Sequence, residues 1–193
     1  MVKLSAIFKN GVRFDCLSPA GCDGHCCVGT GQIYIFNEDI ERLMKHFNLD
    51  LDGFLDTYTK VEETASKSHP VKWIPIVMIK EQEEVEGKPC IFLQDGLCAV
   101  HVARPFQCRG FPFWNMNTKA KAAWEKLATT CPGIPASKDN PDAQFYSGQD
   151  VKNLVEQELA MDDAWDAAML QWKGNYRGYL NSWLAGREIT APE

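Results

Sequence analysis

No apolar run in this chain approaches the roughly 18 residues needed to cross a bilayer, so no membrane partner is expected. Its first residues, Met-Val-Lys-Leu-Ser-Ala-Ile-Phe-Lys-Asn, lack the apolar stretch and small-residue cleavage site of a secretory signal. The expectation is a soluble, cytoplasmic protein, in a compartment that keeps thiols reduced. A basic stripe is missing too. The formal net charge is -6, and nucleic acid is not an expected partner. Residues 141 to 193 hold nine acids and four bases, so net -5 of that charge sits there (four minus nine). A solvated helix face accounts for it. Finally, no Gly-rich strand-to-helix turn marks a nucleotide site.

Cysteine is what the chain has. Cys16, Cys22, Cys26 and Cys27 crowd into Phe14–Cys27, a stretch laced with Gly and Pro. Cys90, Cys98, Cys108 and Cys131 follow after a long gap. A helix or strand cannot bring four thiols of the first run to one point, whereas a loop folded around metal can. At 193 residues and 45% hydrophobic, the chain can bury a core without disulfides. Four disulfides would also need an oxidising compartment. The spacing therefore reads as metal ligation by all eight cysteines.

Thiolate is the soft ligand of zinc, Cu(I) and iron-sulfur clusters. Eight thiolates divide into two four-cysteine sites, each carrying a charge of about -2 as zinc or as an oxidised four-iron cluster. The run Cys16-x5-Cys22-x3-Cys26-Cys27 is not a zinc ribbon. Nor is it the C-x2-C-x2-C of bacterial ferredoxins or the CxxxCxxC of radical enzymes. The cofactor expected is an iron-sulfur cluster, 4Fe-4S among the forms, or zinc. His25 precedes Cys26 and His101 follows Cys98 at a zinc-ligand offset. Eight cysteines complete two sites without them, which leaves both histidines an outer-shell or surface role. Arg104 and Arg109 flank Cys108 and are candidate cofactor-binding residues, because a guanidinium keeps its charge and donates in a fixed fork. Two centres of charge -2 about 10 Å apart would otherwise repel by roughly 6 to 7 kcal/mol at an effective dielectric of 20.

The fold class expected is α+β, in one domain over residues 1–193. The motif region covers about 12–135, and a helical extension covers about 141–190. A short strand is expected over Leu4–Phe8 and another over Gly31–Phe36. Asn37 reads as the N-cap of a helix with Ile40, Leu43, Met44 and Phe47 on one face. A second helix, opened by Asp50 or Asp52, carries Phe54, Leu55, Tyr58 and Val61. Residues 62 to 70 read as a loop. Trp73–Ile79 reads as a strand in which Pro75 marks an edge or a bulge. Asp95-Gly96 between Cys90-Ile-Phe-Leu and Leu97-Cys-Ala-Val signals a hairpin. Prolines from 101 to 140 leave little room for regular structure outside Lys119–Thr129. The last fifty residues are helical, with a break near Gly174.

Phe14-x-Cys16, Cys22, Cys26-Cys27, Pro89-Cys90-Ile-Phe-Leu, Cys98, Arg104-Pro105, Cys108-Arg109-Gly-Phe-Pro112 and Cys131-Pro-Gly-Ile134 follow one another in order. This order resembles the YkgJ-type cysteine-cluster family of zinc- or iron-chelating proteins, over about residues 12 to 135. Family members usually have two residues between the first two cysteines; this chain has five. The resemblance implies a bound zinc or iron-sulfur centre. It reaches, more distantly, flagellin lysine N-methylases, which share the motif on a longer chain and are thought to use S-adenosylmethionine. Three functions stay open: a metalloprotein with iron-sulfur or zinc centres, an iron-sulfur-dependent protein-modifying enzyme, and a structural zinc module that meets a protein partner.

Overall fold

The computed structural model describes residues 2–17, 27–28 and 32–186. Cys22, His25, Cys26 and Gly31 lie outside the described residues. Eight helices form among those described: α1 (Asn37–Phe47), α2 (Leu51–Tyr58), α3 (Phe106–Arg109), α4 (Asn115–Thr118), α5 (Lys121–Ala128), α6 (Gly133–Lys138), α7 (Gly148–Gln171) and α8 (Tyr176–Leu184). Six short strands accompany them: β1 (Val12–Arg13), β2 (Thr59–Ala65), β3 (Trp73–Ile79), β4 (Leu93–Gln94), β5 (Leu97–Cys98) and β6 (Phe145–Tyr146). They pair antiparallel as β1-β6, β2-β3 and β4-β5. This is the α+β class expected.

Contacts gather the chain into two compact units, the first from Met1–Gly31, Glu83–Ala99 and Gly110–Leu159, the second from Gln32–Gln82, Val100–Arg109 and Ala160–Glu193. In the first unit, Phe8, Phe14, Phe113, Ile134 and Val151 form a buried cluster. Where a strand is expected over Leu4–Phe8, the structure has a 3-10 turn at Ala6–Phe8. The Ser5 N–H is taken by the Thr118 carbonyl (2.8 Å) and the Phe8 N–H by the Ser5 carbonyl (3.1 Å). The turn drops Phe8 into the core at 1% exposure. The 101–140 stretch also holds more helix than expected, as single turns (α3, α4) and the short α6 besides α5.

In the second unit, α1 buries Ile40 and Leu43 as its apolar stripe requires. Its N-cap is Phe36, not Asn37. The Asn37 amide donates instead to the Tyr179 hydroxyl (2.6 Å) and so is spent on α8. Asn48 closes α1 in the left-handed region, φ 52°. Asp50 caps α2 by accepting from the Gly53 N–H (2.8 Å). Val61 is not on α2; it lies in β2, which pairs with β3 from Thr59↔Ile79 to Ala65↔Trp73. The loop expected over 62 to 70 thus shrinks to the turn between these strands. A polar run became a strand because one edge and face of β2 are open to water, while β3 supplies the partner.

β3 is buried from Ile74 to Ile79. Opposite β2, it takes the Ile35 N–H on the Val77 carbonyl and gives the Ile79 N–H to the Ile33 carbonyl (both 3.0 Å). The strand expected over Gly31–Phe36 survives as this short ladder, with one bridge from Tyr34 to Met78. The Pro75 carbonyl accepts from the buried Trp165 indole N–H (2.9 Å). N–H and C=O of one strand residue face the same side, so the donor that proline lacks would have faced away from β2. Pro75 stands at a local edge, as expected.

Asp166 on α7 fastens the β2-β3 turn. Its carboxylate accepts from the Lys67 N–H (2.8 Å), the Ser68 N–H (3.3 Å) and the hydroxyls of Ser66 (3.1 Å) and Ser68 (2.5 Å). Burial alone would raise its pKa. The hydrogen bonds, led by that from Ser68, outweigh burial and hold the carboxyl below its usual value. A depressed pKa means stability that is present above the unfolded value, about 3.9, and lost as pH falls through the folded one. Asp166→Ala is expected to cost about 1 to 3 kcal/mol at pH 7, because the buried Ser66 hydroxyl and the other donors of the turn lose their acceptor. The gap in urea midpoint between variant and parent should close toward pH 2. A gap independent of pH contradicts this account.

α7 ends where Lys173 (φ 53°) and Gly174 (φ 81°) turn left-handed, at the expected break. Asn175 then caps α8 by accepting from the Gly178 N–H (3.0 Å). The Arg177 fork reaches Asp52 and Asp56, fastening α8 to α2.

Candidate metal centre

In the first unit, backbone beside cysteines of the two sequence halves comes together at two places. The Phe14 N–H donates to the Gln144 carbonyl (2.9 Å) and the Asp15 N–H to the Ser137 hydroxyl (2.8 Å), anchoring the approach to Cys16. Gly133 opens α6 beside that approach. A Cβ there would lie 2.7 Å from the Asp15 carbonyl oxygen, which no side chain tolerates. Glycine two residues after Cys131 thus lets the backbone next to Cys16 close on the backbone next to Cys131. Cys16 is exposed, and Cys131 is half-buried against the aromatic core.

The second place is at Cys27 and Cys90. The Cys90 N–H donates to the Cys27 carbonyl (2.9 Å), and the Cys90 carbonyl accepts from the Leu93 N–H (2.9 Å). Leu93 pairs with Cys98 across the β4-β5 hairpin. Asp95 (φ 50°) and Gly96 (φ 76°) make its turn, both left-handed, the geometry that Asp-Gly favours. Cys90 and Cys98 therefore stand at the two ends of one hairpin, with Phe92 as its buried anchor at 4% exposure.

Cys108 lies in α3 of the second unit. Three anchors hold that turn. The Phe106 N–H donates to Asp39 Oδ1 (2.8 Å). Gln107 accepts from the Tyr34 N–H (2.8 Å) and donates to the Gln32 carbonyl (2.9 Å). The Arg104 carbonyl accepts from both Arg109 Nε (3.0 Å) and Arg42 (3.3 Å). The Arg104 Nε donates to the His101 carbonyl (3.2 Å), and His101 itself is exposed. The Arg109 guanidinium lies 5.8 Å from the centre of the Phe106 ring. Burial first, and then the nearby Arg42 charge, lower its pKa.

Asp39 is a functional candidate that pattern reading passed over. It is 1% exposed, and burial raises its pKa against the opposing pull of the Phe106 N–H and Arg42. The signal was present: Asp39 stands four residues before Leu43 and so shares the apolar face of α1. Gly133 and Ser137 had no comparable signature.

Among the described residues, no three His, Cys, Asp or Glu side chains converge as they would on a metal ion. Cys22 and Cys26 are outside that set. Backbone beside Cys16 lies against α6, just after Cys131, and a backbone hydrogen bond joins Cys90 to Cys27; thiolates are donors that suit a thiophilic metal.

A family model, CxxCxxCC, whose description is "Putative zinc- or iron-chelating domain", matches residues 15–132. The match opens one residue before Cys16 and closes one residue after Cys131, so it encloses all eight cysteines. No solved structure matches the chain.

Proposed function

Because the chain belongs to the CxxCxxCC family of chelating domains, we propose that it is a cytoplasmic metalloprotein whose eight cysteines hold iron-sulfur chemistry. The ligands are Cys16, Cys22, Cys26, Cys27, Cys90, Cys98, Cys108 and Cys131. The observation that supports metal binding by these thiols is the span of the match, whose limits lie one residue outside the first and last of them. Iron-sulfur is favoured over zinc because thiols dominate the donor set and neither His25 nor His101 is needed to complete it. Such a centre would supply one-electron transfer, and zinc a cross-link alone. The role of the residues is to deliver thiolates, to exclude water on the Cys131 side, and to offset negative charge. Arg104 and Arg109 take the last role, flanking Cys108 with charge that does not titrate away.

Metal analysis with an absorption spectrum, on protein purified without oxygen, tests the reading. Iron with acid-labile sulfide and a brown colour is expected. Colourless protein carrying zinc would move the assignment to a structural zinc module. Saturable S-adenosylmethionine binding would move it to an enzyme of the lysine-methylase kind. Cys27→Ser or Cys90→Ser should lose metal, because a hydroxyl replaces thiolate poorly. His101→Ala should keep the full complement. If His101→Ala loses an equivalent of metal, the all-cysteine assignment is wrong.

A further inference from the structure

We propose that Asp39 is the positioning residue for Cys108, fixing the thiol's direction by pinning the turn that carries it. The proposal rests on the reading of Cys108 as a ligand. α3 has four residues, too few to hold its own shape, since a first turn fixes several dihedrals for one hydrogen bond. Pro105 just before it cannot donate. The orientation of Cys108 must therefore come from outside the turn.

Asp39 supplies most of it through one oxygen. Oδ1 accepts from the Phe106 N–H (2.8 Å), a donor that the start of a helix leaves without a partner, and from Arg42 (2.9 Å). The same Arg42 nitrogen reaches the Arg104 carbonyl (3.3 Å), where Arg109 Nε also donates. Asp39 thus reaches the residue two before Cys108 directly. Through Arg42, it also reaches the carbonyl that tethers the residue one after. Gln107 is tied separately to Gln32 and Tyr34. An ion pair with one partner buried is a poor way to add stability, because desolvation consumes much of the Coulombic gain. Here it gives geometry: an apolar residue at 39 could pack equally well but could hold neither Phe106 nor Arg42.

The test is site-by-site alkylation of the metal-loaded full chain with iodoacetamide, read by mass spectrometry, beside metal-stripped protein. In the parent, loaded Cys108 should be protected along with the other ligands. Asp39→Ala should speed alkylation of Cys108 at least tenfold, while Cys27, Cys90 and Cys98 stay protected. Asp39→Asn keeps an acceptor for the Phe106 N–H and should restore part of that protection, which general destabilisation would not do. Unchanged protection of Cys108 in folded Asp39→Ala overturns the proposal. So does loss of protection at all cysteines together, a merely structural effect. Should Asp39→Ala fail to fold, Arg42→Gln decides by the same selective readout. If Cys108 in the loaded parent reacts as fast as in stripped protein, Cys108 is not a ligand and the ligand reading itself fails.

Discussion

Stripping the metal is expected to open residues 87 to 99 and 130 to 134 to amide exchange while β2-β3 and α8 keep their protection. A structural zinc site contributes about 10 to 16 kcal/mol, as much as the whole net stability of a domain, about 5 to 15 kcal/mol. The segment from 83 to 99 has little regular structure. Its regular structure is a pair of two-residue strands, and only Pro89 and Phe92 are buried within it. A backbone hydrogen bond links Cys90 to Cys27. By contrast, β2 and β3 pair over seven residues, and β3 is buried along six of them. Residues 100 to 109 have their own anchors on Asp39 and Gln107, so they should exchange late. Chelated protein whose exchange over 87 to 99 matches that of loaded protein would refute the cross-linking role.

The second large effect is expected from Phe113→Ala. Phe113 is 2% exposed and meets four rings: Phe8 at 6.5 Å, Phe14 at 6.0 Å, Trp124 stacked at 5.8 Å and Tyr146 at 4.6 Å between centroids. Removing a buried phenyl costs about 3 to 5 kcal/mol in lost transfer energy and residual cavity. That is a large part of the net stability. Cys131 packs against this same cluster, so the variant should also release metal at lower chelator concentration. Val71→Ala, at a position 92% exposed, serves as the control and should stay within about 0.5 kcal/mol. A urea midpoint for Phe113→Ala as close to the parent as the control's would rule out this core as a source of stability.

The elements legible in the sequence were those whose signals are local. The stripe of α1, the Asp50 cap, the Asp95-Gly96 turn and the Gly174 break each depend on neighbours in the chain. β2 was hidden because nothing within Lys60-Val61-Glu62-Glu63 announces a strand; the partner that makes it one is β3. Asn37 has cap chemistry, yet a tertiary hydrogen bond to Tyr179 claims its side chain. The site divides in the same way. Thiols are visible as residue types, and the family motif enclosed them. Their supports are not visible: the Gly133 approach to Asp15 is a backbone contact across 118 positions (133 minus 15), and the Asp39–Phe106 bond crosses 67.

Pro75 has a consequence for self-association. An unpaired strand edge is a template for another chain, offering rows of donors and acceptors. On the side of β3 away from β2, a visiting strand would find no proton donor at Pro75, and the carbonyl is already taken by the Trp165 indole. Farther along, Val77 and Ile79 are covered by Ile33 and Ile35. The most apolar of the described strands is therefore closed to edge-to-edge growth along this flank. Among the described residues, the flank left without a partner strand belongs to β2, where Lys60, Glu62 and Glu63 place charge against stacking with a second copy. A chain with so apolar a strand can thus stay clear of fibre-forming contacts without a larger sheet to bury it.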